Sequence, residues 1–174
     1  MTGGKIVVAI LVACAAAAGI GIWYTQTRAY HTEAPVQATV RLTDAAEATL
    51  DLPVSGFTAI ETVSSPLGFR ACFTFDTPPD PAATVPYEGA TPLIAPGWFG
   101  CFDAGALDEA LAAGDATAVL GTKNIAYGVD RIVALFPDGR GYAWHQLNNC
   151  GRKAYDGSPV GEACPPRDDA PAGE

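Results

Sequence analysis

Histidine is almost absent from this chain. Its 174 residues include two, His31 and His145, and its five cysteines form no CxxC pair, so the spacings that build zinc and haem sites are missing. No metal and no cofactor is expected. Basic residues are also scarce, ten against nineteen acidic, and two of them, Lys5 and Arg28, flank the N-terminal segment. From residue 29 onward eight basic residues face nineteen acidic ones, a net −11, which repels phosphate backbones and excludes nucleic acid as a partner. Two catalytic signatures are missing as well. GDATAVLGTK at 114–123 has threonine before lysine and the wrong glycine spacing for a phosphate loop, and none of Ser55, Ser64, Ser65 or Ser158 sits in a GxSxG elbow. No period of about 20 to 50 residues repeats, which excludes solenoids and propellers.

What is present is an uncharged apolar run from Ile6 to Tyr24. As a helix it spans roughly 28 Å, close to the roughly 30 Å of a bilayer's hydrocarbon layer. Trp23 and Tyr24 close it with side chains that favour the headgroup interface, and Lys5 guards the other end. Residues 1–28 are therefore read as a single-pass anchor with the N-terminus inside. Two other readings remain open: a cleavable signal ending at the alanines of 15–18, and a lipoprotein box at Leu11-Val12-Ala13-Cys14. Against both, the apolar run continues for ten residues past Cys14 and ends in an aromatic pair. All three readings export the rest of the chain.

Cysteine number agrees with export. Apart from Cys14, four remain, Cys72, Cys101, Cys150 and Cys164, an even number that suits an oxidising compartment. Three pairings are open; Cys72–Cys101 with Cys150–Cys164 is favoured because the second bridge would clip an otherwise irregular tail at short loop length.

The exported part, 29–164, reads as one mainly antiparallel β domain with one short helix, an α+β fold behind a transmembrane helix. Val36, Ala38, Val40 and Leu42 alternate with polar residues, as in a half-buried strand. In LGFRACFTF at 67–75, Leu67, Phe69, Ala71, Phe73 and Phe75 share one face and Arg70, Cys72 and Thr74 the other. Five prolines make 77–92 a loop. Asp103 is placed as an N-cap, Leu107, Ala110 and Leu111 as an apolar stripe, and Gly114 as a terminator of a short helix. Residues 116–120 predict a strand ending in the turn Gly121-Thr122-Lys123-Asn124. The clearest hairpin joins RIVALF at 131–136 to GYAWHQL at 141–147 through Pro137-Asp138-Gly139-Arg140. Residues 165–174 predict a disordered tail.

Three stretches, ATPLIAPGWFGCFD at 90–103, GTKNIAYGVDRIVAL at 121–135 and DGRGYAWHQLNNC at 138–150, together with the N-terminal anchor, resemble an uncharacterised family of small membrane-anchored proteins from alphaproteobacteria. The resemblance implies a bacterial inner membrane and no activity. A histidine-kinase label, attached to some relatives, does not suit a chain this short that lacks the glycine-rich nucleotide boxes.

No catalytic residue is assigned. His145 with Asp130 is the one acid/base pair to weigh, and it lacks a nucleophile; Arg70, Asp130 and Arg131 read better as partners organising a small sheet. The glycine-flanked aromatic pair Trp98 and Phe99 either anchors its loop or faces a partner. The favoured expectation is a noncatalytic, membrane-tethered periplasmic interaction or accessory protein of an envelope complex. The alternatives are a periplasmic small-molecule sensor or binding domain, and an enzyme using His145 and Asp130.

Overall fold

The computed structural model describes residues 3–166. Helix α1 (Gly3–Tyr24) is apolar throughout and buries no residue against the rest of the chain; with the π-turn Thr25–Ala29 that continues it, it is long and apolar enough to cross a bilayer. Thr25 and Thr27 turn their hydroxyls back onto carbonyls of Gly21, Ile22 and Trp23, satisfying acceptors where the helix ends.

The remaining elements form an α+β domain. Strands β1 (His31–Glu33), β2 (Thr39–Thr43), β3 (Thr49–Pro53), β4 (Ser55–Thr62) and β5 (Ser65–Thr74) precede helix α2 (Ala104–Ala113), and β6 (Thr117–Ala126), β7 (Val129–Leu135) and β8 (Arg140–Leu147) follow it. Six strands make one antiparallel sheet in the order β1-β4-β5-β8-β7-β6, while β2 and β3 form a separate hairpin.

Period-two alternation along the central strands divides the core into two layers. Phe69, Ala71, Phe73 and Phe75 of the β5 region join Val119, Val133 and Ala143 on one face, where Val40, Leu42 and Leu52 of the β2–β3 hairpin cover them. On the other face Cys72, Ile132, Ala134 and Trp144 meet Phe102 and Leu107. The sheet thus lies between a hairpin and a helix, and β7, next to the edge strand β6, is buried on both faces.

Helix α2 forms where its capping residues dictate. Asp103 accepts from the backbone of Gly105 and Ala106 at 3.0 and 3.1 Å, and Gly114 closes it in the left-handed region at φ 79°. Asp103→Ala is expected to cost about 1 kcal/mol, read as a lower urea midpoint at unchanged slope; an unchanged midpoint would deny the cap this role.

Three expectations are corrected. The turn at Gly121–Asn124 is not a turn: β6 runs on to Ala126, and the chain reverses at Tyr127-Gly128. The cause is Asp130, whose Oδ1 accepts from Asn124 N at 2.8 Å and lets Asn124 take φ 49° inside a register shift. The strand expected from Val36 begins at Thr39, with Val40 and Leu42 inward as expected and Val36 82% exposed. Finally, β1, β3 and β4 lie where no strand was read. The tail expected at 165–174 lies outside the described residues from 167 onward.

Candidate functional site

Trp98 and Phe99 stand in the loop before α2, a position set by Cys101 and Cys72, which lie at disulfide distance with Cα atoms 6.3 Å apart. Cys150 and Cys164 are also at disulfide distance, with Cα atoms 4.8 Å apart. Both pairs are those favoured from loop length. Trp98 is half-buried. Its indole Nε1 donates to Thr27 O at 2.6 Å, the Arg28 guanidinium lies 5.3 Å from its ring centroid, and His31 and Phe99 approach its ring edge-on or face-on in T-shaped contacts. The loop is thereby fastened to the residues that leave α1. Beside it, Trp98, Phe99, Val36, Phe57 and Thr58 border a groove of about 440 Å³, next to the part of β4 that short β1 leaves uncovered.

The other candidates, Asp130 and His145, are not brought together. In the β7–β8 register Asp130 faces Gln146 and Arg131 faces His145, and neighbours along a strand point to opposite sides. On one side the Asp130 carboxylate accepts from Asn124 N, Asn148 Nδ2 and Tyr87 Oη at 2.8, 2.8 and 3.3 Å. It organises the β6–β7 connection. Burial, reinforced by that carboxylate, raises the Tyr87 phenol to about 12.

On the other side His145 lies in the sheet, 7% exposed. Its Nδ1 is 2.6 Å from Pro66 O and its Nε2 is 3.0 Å from Arg131 Nε. Since a guanidinium only donates, Nε2 must accept and Nδ1 must donate, which fixes the neutral tautomer. Burial chiefly, and then the Arg131 charge, lower its pKa to about 3. The ring also stacks on Phe69, whose face carries Arg131, 4.3 Å from guanidinium carbon to centroid. A histidine held neutral and bonded at both nitrogens is a positioning group, not a proton shuttle.

Arg70, expected as a structural partner, donates to the carbonyls of Leu93, Leu67 and Phe69 at 2.6, 2.7 and 2.5 Å. It pins the chain just after the proline-rich loop to β5. Sequence marks Arg131 only as a charge organising the sheet and gives no sign of its cleft. The signal for its place beside His145 was available: a hairpin turning at Pro137–Arg140 sets 131 opposite 145.

A family model described as a family of unknown function (DUF6446) matches residues 40–165. No curated protein and no solved structure matches the chain. The matched residues begin after α1, so the match speaks for the β domain and not for the anchor.

Proposed function

Because the chain belongs to this family of unknown function, we propose its role from geometry: a noncatalytic, membrane-tethered interaction module on the periplasmic face of a bacterial inner membrane, accessory to an envelope complex. The observation that carries the reading is the Trp98 Nε1–Thr27 O bond. It ties the binding groove to the point where the apolar helix ends, so the groove is held at a set height above the bilayer. Two cysteine pairs at disulfide distance suit the oxidising periplasm. Trp98 and Phe99 supply the rigid aromatic contact area that interfaces favour.

Crosslinking in intact cells from a photoreactive residue at Val36, followed by purification, tests this. Wild type is expected to yield a reproducible envelope partner. Trp98→Ala is expected to lower the yield at least about tenfold, the usual scale for truncating an aromatic anchor, while folded His145→Gln keeps it. No reproducible partner, or loss of the cellular phenotype from His145→Gln alone, would overturn the proposal.

A further inference from the structure

The charged end of Arg131 is the feature the interaction groove does not use. Arg131 is 9% exposed, yet it makes one side-chain hydrogen bond, from Nε to His145. Its Nη groups have no partner among the described residues. They are not sealed in either, since His31 Nδ1 is the one enclosed side-chain polar atom without a partner among those residues. The guanidinium end thus keeps some access, and Arg131 and His145 line a cleft of about 610 Å³. This cleft is a different hollow from the groove at Trp98, although Ala34 borders both.

Its walls are mixed: Pro35, Phe69 and Ile125 supply an apolar side, and Gln37, Thr62 and Ser65 a polar one. The charges facing Arg131 come from two further elements. Arg41 of β2 opposes the guanidinium's charge and Glu61 of β4 supports it, while burial is the larger influence and brings its pKa to about 10. Arg131 therefore stays cationic near neutral pH. Glu61 lines the same cleft and forms no ion pair within 4 Å among the described residues.

We propose that this cleft binds a small monocarboxylate with an apolar body, its two carboxylate oxygens taken by the paired Nη groups of Arg131. Four features select that class. With Nε occupied by His145, the free edge of the guanidinium is its end, two parallel N–H donors whose spacing matches a planar carboxylate. The neutral histidine and the Phe69 face hold that end in place before any ligand arrives, which lowers the ordering cost of binding. The apolar side of the cleft, Pro35, Phe69 and Ile125, takes the ligand's body. Glu61 and the chain's net charge of −9 disfavour a phosphate dianion. The inference goes beyond the interaction role and survives its failure, because it uses neither Trp98 nor a protein partner.

Titration of the full-length protein in detergent micelles tests it, with 3-phenylpropionate as probe and its neutral amide as control, followed by the side-chain nitrogen resonances of arginine. Wild type is expected to bind the acid saturably and at least about tenfold more tightly than the amide, with the Arg131 Nη signal shifting. Arg131→Gln is expected to lose at least about tenfold in affinity, the scale of a charge-assisted hydrogen bond. Should Arg131→Gln fail to fold, Glu61→Gln decides the matter: removing the like charge is expected to tighten acid binding severalfold. Absence of saturable binding, equal affinity for acid and amide, or unchanged affinity in Glu61→Gln would overturn the proposal. So would tighter binding of phenylalanine than of 3-phenylpropionate, since Glu61 would then be receiving an ammonium group.

Discussion

Replacing Cys72 and Cys101 together by serine is expected to lower stability by about 3.5 kcal/mol, from the loop closure that a bridge of this span removes from the unfolded chain. The sequence separation is 29 residues. Cys72 sits in the layer with Ile132 and Trp144, so the bridge joins the proline-rich segment to the least exposed part of the sheet. Cys101 is also three residues from Trp98, and its loss is expected to loosen the contact with Thr27. The pair Cys150–Cys164 spans 14 residues outside the main sheet. Breaking it is expected to open residues 149–164 locally while leaving the sheet intact. Urea unfolding of the two double variants, with hydrogen exchange across 129–164, separates the cases. Equal effects on the β7 and β8 amides would deny the distinction.

The second large effect is on pH dependence. His145 titrates at 6.5 when unfolded and at about 3 when folded. Between those values the unfolded chain binds a proton that the folded chain excludes, so this contribution to stability is complete above 6.5 and is lost as pH falls toward 3. By pH 5 the loss is about 2 kcal/mol. His145→Gln keeps a donor for Pro66 O and an acceptor for Arg131 Nε without titrating. Wild type is therefore expected to lose about 2 kcal/mol more than His145→Gln between pH 7.5 and pH 5, measured by urea unfolding at both. Every other ionisable group is common to both proteins and cancels in the difference. Parallel pH profiles would show that His145 is not held neutral by the fold.

These effects also mark what local sequence could and could not reveal. Helix α2 was legible because Asp103, Leu107 and Gly114 act within one short segment. The two faces of β5 followed from strict alternation of Phe69, Ala71 and Phe73 against Arg70 and Cys72. β4 was not legible, because register shifts at Ser55–Thr58 and Ile60–Thr62, with Gly56 at φ 60°, break the period that would announce it. β6 was cut short for a related reason: the polar run Thr122-Lys123-Asn124 reads as a turn unless Asp130, six residues on, is known to bond Asn124.

The sites divide in the same way. Arg131 and His145 are 14 residues apart across one hairpin, and register alone sets them opposite each other. Trp98 and Thr27 are 71 residues apart, and no local pattern links an aromatic loop to the end of an apolar helix. Choosing between anchoring and recognition for Trp98 from sequence was therefore incomplete: its ring faces the chain that leaves α1 and also borders a groove.

The central claim, an uncleaved anchor carrying an oxidised domain outside the cytoplasm, is tested most directly by thiol counting on the membrane fraction after carbonate extraction. Maleimide-polyethylene glycol is added under denaturing conditions, before and after reduction, and the protein is resolved by size. The expected result is a full-length chain in the pellet with one reactive thiol, Cys14, before reduction and five after. A soluble product beginning after residue 18, lipid on Cys14, or five reactive thiols before reduction would contradict it.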